Sequence, residues 1–188
     1  MVDDERETRC PLTVDVDHLL AEMRTVYPAG LPNLFRTLKG NPAVLSAFLA
    51  LDSELEAHGR LSPAERLLVG LITAEHVECG YCQAALSKEA VEAGTPEPIV
   101  EALLDRGLPN DDRARTLAQA ARRILELHGR LPSSEIAHLE RRGLDEASLL
   151  EIIAVVGEFT IATYANHLKR TRLDPEYRST PAARPPQP

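Results

Sequence analysis

Residues 61–86 read Leu61-Ser62-Pro63-Ala64-Glu65-Arg66-Leu67-Leu68-Val69-Gly70-Leu71-Ile72-Thr73-Ala74-Glu75-His76-Val77-Glu78-Cys79-Gly80-Tyr81-Cys82-Gln83-Ala84-Ala85-Leu86. The stretch spells two consecutive helices with a cysteine pair at the join. Ser62-Pro63-Ala64-Glu65 is a capping box: the serine oxygen accepts from the Glu65 amide, and the glutamate side chain reaches back to the Ser62 amide. Leu67, Leu68, Leu71 and Ile72 follow at helical spacing. Beyond the join, Cys82-Gln83-Ala84-Ala85-Leu86 is again composed of good helix formers.

The same grammar repeats on both sides. Upstream, Asn41-Pro42 opens a helical stripe through Val44, Leu45, Phe48, Leu49 and Leu51 that ends near Gly59, with an N-cap, a first-turn proline and a terminal glycine. Downstream, Thr95-Pro96 starts a helix, Asn110 or Asp111 caps one running to Gly129, and Ser133 or Ser134 starts a short one stopping at Gly143. Asp145 caps the last, which runs through Ile152, Ile153, Val156, Phe159 and Tyr164 to about Leu168. No segment alternates with the period of two that a half-buried strand needs. The pattern predicts an all-α fold, a single-domain antiparallel helical bundle over residues 13–177. A polar arm (1–12) and a Pro-rich tail (178–188) would flank it. The last helix is apolar nearly all round, which places it at the centre of the core or in a subunit interface.

Composition narrows the partners. A net charge of −8 and a pI near 5.3 disfavour a nucleic-acid backbone or an anionic lipid surface. No run approaches the roughly 20 uninterrupted apolar residues of a membrane span. The acidic start, Met1-Val2-Asp3-Asp4-Glu5, lacks the features of a secretory signal. Three cysteines do not build a disulfide scaffold. A cytoplasmic protein with resting thiols is the expectation.

The chemistry-bearing segment is Glu75-His76-Val77-Glu78-Cys79-Gly80-Tyr81-Cys82. If Cys79 begins a helical turn, the free amides of that turn stabilise its thiolate, and the two sulfurs come within disulfide reach. Gly80 would relieve the bend. Three readings compete: a redox pair, a zinc site with His76 as third ligand, and a pair of ordinary buried small residues. A structural zinc wants a fourth ligand, and only the isolated Cys10 remains, so neither metal nor cofactor is expected.

In their order and spacing, these pieces resemble the carboxymuconolactone decarboxylase superfamily on its alkylhydroperoxidase D-like side. The likeness runs over roughly residues 40 to 177. It rests on Leu61–Arg66, Cys79–Ala85, Asp112-Arg113-Ala114-Arg115, Gly143-Leu144-Asp145-Glu146 with Leu149–Ile153, Asn166-His167, and Leu173-Asp174-Pro175. The resemblance implies an all-helical homo-oligomer, trimer or hexamer. It implies a small-molecule substrate, a hydroperoxide, and a dithiol or lipoyl-type reductant that reopens the disulfide. It also implies that Cys82 attacks the peroxide and Cys79 resolves the resulting sulfenic acid. The family's proton relay has a glutamate two residues after the position of Glu65 and a histidine four residues after the second cysteine. Leu67 and Leu86 stand at those positions here. Glu75 and His76, four and three residues before Cys79, would share its face on a continuous helix and take over acid–base duty. His167 at the end of the last helix is a further candidate, and Tyr81, Leu67 and Leu86 would shape the pocket. Two other functions fit the same fold: a decarboxylase, isomerase or lyase acting on a small carbonyl compound, and a non-enzymatic redox-sensing or binding module.

Overall fold

The computed structural model describes residues 20, 21, 23–25, 27 and 30–180. The proposed arm at 1–12, Cys10, and the tail from 181 onward lie outside them. The described elements are α1 (Asn33–Leu38), α2 (Pro42–His58), α3 (Pro63–His76), α4 (Gly80–Glu92), α5 (Glu97–Leu104), α6 (Asp112–Leu127), α7 (Ser133–Arg141), α8 (Glu146–Lys169) and a 3-10 turn at Pro175–Tyr177. The described residues form no strand, and the fold is all-α.

Local chemistry sets most of the helix starts. The Asn41 side chain accepts from the Ala43 amide, Asp111 from Ala114 and Asp145 from Ser148. The Ser62–Glu65 capping box is closed in both directions. One start shifts slightly, α5 beginning at Glu97 behind Pro96, while α7 begins at Ser133 as expected, behind Pro132; neither has a side-chain cap. A sequence reading does not anticipate α1. It has no side-chain cap of its own, and its first amide, of Asn33, donates to both carboxylate oxygens of Asp174 at 3.3 and 3.1 Å. A partner 141 residues away satisfies that helix end.

The centre of the bundle is α3. It buries every residue from Leu68 to Glu75 and packs against α4, α6 and α8. Gly70 allows the closest of these approaches, since a β-carbon there would lie 2.6 Å from the Phe159 ring of α8. The loop before α3 is held from α8 too: Arg60 and Leu61 donate their amides to the buried Glu151 carboxylate at 2.6 and 3.0 Å.

The long helix α8 therefore has two characters. Its inner face buries Ile152, Val155, Glu158, Ala162 and Asn166. Its outer face leaves Leu150, Ile153, Ile161, Tyr164 and Leu168 exposed. By length and composition its 24 residues would suffice to cross a membrane, but Glu151 and Glu158 interrupt the apolar run and pack inward against the bundle.

Candidate functional site

The join between α3 and α4 positions the cysteines. Helix α3 ends at His76, and Glu78 takes a left-handed turn with φ 57°. Cys79 then donates its amide to the Ala74 carbonyl at 2.8 Å and occupies the N-cap position of α4 in extended conformation. The turn is made by Glu78, not by Gly80, which is simply the first helical residue.

That turn also corrects the expectation for Glu75 and His76. Helical spacing does not carry through to Cys79, so neither residue shares its face. Glu75 is buried, with the Arg106 guanidinium 2.5 Å from its Oε1 in an ion pair that lacks hydrogen-bond alignment. His76 is exposed. Neither lines the cavity described below.

Both thiols are buried and free. Cys79 is the one that ionises easily, with its pKa lowered to about 6. The neighbouring Cys82 thiol does most of this, against the cost of burial, followed by the Cys82 amide, the charge of His167 and the Tyr81 amide. The amides are those of the first turn of α4, where free N–H groups favour a negative charge. Cys82 is driven the other way, well above the ordinary thiol range, by its role as proton donor to Cys79, by burial and by the Cys79 charge. The Asn166 amide, 3.2 Å from Cys82 Sγ, partly offsets this. At neutral pH the pair thus carries one proton between two sulfurs, and it titrates as a unit.

Cys82 opens onto a cavity of about 130 Å³. Its walls include Leu67, Tyr81 and Leu86, the three pocket residues expected from sequence. The two leucines at the relay positions therefore face the space beside the thiol and leave it without a local base. The Tyr81 hydroxyl is not free: it donates to Asp174 Oδ2 at 2.6 Å and accepts from the Leu34 amide at 3.1 Å. Burial, then the Asp174 contact, pushes its pKa up. His167 is exposed at the end of α8 and reaches Cys79 by charge alone. Among the described residues no three His, Cys, Asp or Glu side chains converge as metal ligands.

Four groups at this site escape a reading of sequence alone: Asn166, Asp52, Glu89 and Glu158. Helices α4 and α8 both line the cavity, with Cys82 beside Asn166 at one end. Two turns along α4, about 10 Å at 1.5 Å per residue, stands Glu89. Eight residues back along α8, about 12 Å, stands Glu158. With Asp52 of α2 they form a carboxyl end opposite the thiol end. All three hold protons more tightly than ordinary carboxyls, burial being the first cause in each. Glu158 is pushed up to about 8, with the Asp52 charge adding to burial and Arg66 opposing both. Glu89 accepts a hydrogen bond from the Tyr177 hydroxyl at 3.0 Å.

Residues 42–123 match the sequence model of the Carboxymuconolactone decarboxylase family. Among curated proteins, none matches the chain by sequence. Among solved structures, an uncharacterized peroxidase-related protein from Silicibacter sp. TM1040 is similar at TM-score 0.75 and 19% identity, over 94% of this chain and 99% of that one. A second, described as an alkylhydroperoxidase AhpD core from Ralstonia eutropha JMP134, gives TM-score 0.76 and 19% identity over 87% of each chain. A variant of the debrominase Bmp8 in complex with 2,3,4-tribromopyrrole gives TM-score 0.71 and 18% identity, over 88% of this chain and 90% of that one. At such identities the structural likeness speaks for the fold.

Proposed function

We propose, from the match of residues 42–123 to the carboxymuconolactone decarboxylase family and from the alkylhydroperoxidase D-like fold, that this chain is a thiol-dependent oxidoreductase working through Cys79 and Cys82. The observation that carries this reading is a division of labour: Cys82 stands on the cavity wall, while Cys79 sits behind it at a helix N-terminus with its pKa lowered to about 6.

In the proposed reaction the Cys79 thiolate takes the proton of Cys82 as Cys82 Sγ attacks the terminal oxygen of a hydroperoxide. An S–O bond forms, the O–O bond breaks, and the departing alkoxide picks up a proton to leave as the alcohol. Cys79 Sγ then attacks the Cys82 sulfenic acid. The S–S bond forms, the S–O bond breaks, and the hydroxide leaves as water with the remaining proton. Two electrons pass from the thiols to the peroxide, and an external dithiol of the lipoyl type returns them by exchange. In this scheme the base that Leu67 and Leu86 do not supply is the neighbouring sulfur. The open pair needs a reducing pool, in keeping with a cytoplasmic setting. The exposed apolar face of α8 is the surface on which a homo-oligomer, trimer or hexamer, would assemble.

A second reading draws on the aromatic walls of the cavity and the likeness to a debrominase: reductive removal of halogen from a small ring. The same two thiols supply the electrons, a C–H bond replaces the carbon–halogen bond, and halide leaves as the disulfide closes.

The test counts thiols. Stoichiometric cumene hydroperoxide should remove two thiols per chain, and dihydrolipoamide should restore them. Cys82→Ser should abolish the reaction, by at least a thousandfold in rate. Cys79→Ser removes the base together with the resolving thiol, so it should slow the attack and leave a sulfenic acid that dimedone traps on Cys82. Thiols that survive the peroxide but disappear with a halogenated pyrrole favour the second reading, and thiols inert to both sink the redox assignment.

A further inference from the structure

We propose that the cavity beside Cys82 binds a small organic cation, its ammonium group seated between Asp52 and Glu158, its apolar body against Phe48 and Phe159, and its other end toward the Cys82 sulfur. Three features lead there.

The first is the distribution of aromatics. The chain has only three Phe and four Tyr, and all but Tyr164 line this one cavity. Aromatic faces are electron-rich and attract cations, more strongly where water is excluded.

The second is Glu158. The residue is 3% exposed and borders the cavity, yet among the described residues it has neither a hydrogen bond nor an ion pair. A buried carboxyl without a partner is costly. A bound ammonium would supply both the charge and the donors. The raised proton affinity of Glu158 fits a site that holds a proton until a cation replaces it.

The third is the balance of neighbouring charge. Asp52 feels Glu56 beside it, and Glu89 feels Glu92 and Asp52. The Tyr27 hydroxyl is pushed up to about 12 by burial and then by Glu89, Asp52 and Glu176. Against these stand Arg66 and Lys88. Arg66 also donates to the Leu55 carbonyl at 3.2 Å, and Lys88 is paired with Glu92. The surplus is negative, so an anionic ligand would be repelled and a cationic one drawn in.

Size sets the scale. A cavity of about 150 Å³ holds a benzene ring, and this one measures about 130 Å³, so the ligand has a body of some half-dozen heavy atoms or fewer. As a statement about substrate the inference rests on the thiol reading above, but as a statement about binding it stands apart from it.

The test uses isobutylamine, isobutanol and isobutyrate, matched in size and differing in charge, titrated into the full chain by calorimetry. At about pH 8.5 an alkylamine, with a pKa near that of lysine at about 10.4, is still cationic. The amine should bind at least tenfold more tightly than the alcohol, with the carboxylate weakest. Glu158→Gln should bring the amine down to the affinity of the alcohol while leaving the alcohol unchanged. Asp52→Asn, a second isosteric change, should weaken the amine at least threefold. The inference fails if the alcohol or the carboxylate matches the amine, if the preference for the amine survives both substitutions, or if none of the three binds. No thiol is consumed in this measurement, so its failure leaves the peroxide experiment untouched, and the reverse holds too.

Discussion

The two ends of the cavity are both buried, and they treat protons in opposite ways. At the thiol end, Cys79 gives its proton up at about pH 6, and at the carboxyl end Glu158 keeps its proton to about pH 8. Burial disfavours the ionised form at both. The difference lies in what faces the charge: Cys79 has the first-turn amides of α4 and a neighbouring S–H donor, whereas Glu158 has the carboxyl of Asp52 and only a distant guanidinium. An acidic group can therefore be made stronger or weaker than in water within one small space, depending on whether dipoles or like charges meet it.

Replacing the weaker acid should have the largest effect. With its pKa above the ordinary glutamate value, Glu158 keeps a proton in the folded chain that the unfolded chain releases. Stability is therefore highest below the unfolded value, near pH 4.3, and falls as pH rises toward about 8. Glu158→Gln removes the penalty, so the variant should gain on the order of 5 kcal/mol over the parent at about pH 9 and almost nothing at about pH 4. Urea unfolding at the two pH values reads this directly. Equal gains at both, or a loss, would mean that the carboxyl end is not held as described.

A backbone change at the same end comes next. Gly70→Ala puts a methyl group where the Phe159 ring packs, 2.6 Å from the nearest ring atom. Overpacking of this kind costs about 1–3 kcal/mol. Because Phe159 is a cavity wall beside the carboxyl end, the variant should lose binding space there while the thiolate absorbance titration of Cys79 stays put. A shift in that titration would show that the two ends are mechanically coupled.

How much of this was readable beforehand follows the same division. The two sulfurs of the thiol end are placed by residues 74–82, so a helix end and a Cys-x-x-Cys motif suffice to announce them, whereas Asn166 beside Cys82 comes from α8 and was not legible. The caps at Asn41, Ser62, Asp111 and Asp145 are likewise local and were legible. Helix α1 was not, because its N-terminal amide is satisfied by Asp174 from the far end of the chain. The carboxyl end draws one residue from each of α2, α4 and α8, and nothing in their spacing along the chain brings them together. On α8 the apolar residues circle the whole helix, so the pattern cannot say which face Glu158 occupies. Only the burial of Glu151, Val155, Glu158, Ala162 and Asn166 on one side resolves it.

A smaller change sharpens the thiol end. Asn166→Leu removes the N–H that reaches Cys82 Sγ at 3.2 Å and also the amide oxygen that has no partner of its own. Stability should change little, since both halves of the polar group go together. The Cys82 thiolate, however, loses a donor worth about 1.5–3 kcal/mol to a charged acceptor. Oxidation by stoichiometric hydroperoxide should slow about tenfold or more. An unchanged rate would argue that Cys82 is not the sulfur that attacks.

The smallest effects come from a paired comparison that isolates geometry from spacing. His167 is far from Cys79 in sequence but lowers its pKa by charge across the site. Glu75 is four residues away and, on an unbroken helix, would lie beside it. The chain breaks that helix at His76 and turns at Glu78, which leaves Glu75 facing Arg106 instead. His167→Gln should therefore move the thiolate titration of Cys79 upward by a few tenths of a pH unit, as expected for an exposed charge partly screened by solvent. Glu75→Gln should leave it where it was. A clear downward shift in the Glu75 variant would mean that its carboxylate reaches the sulfur after all, and the turn at Glu78 could no longer be what separates them.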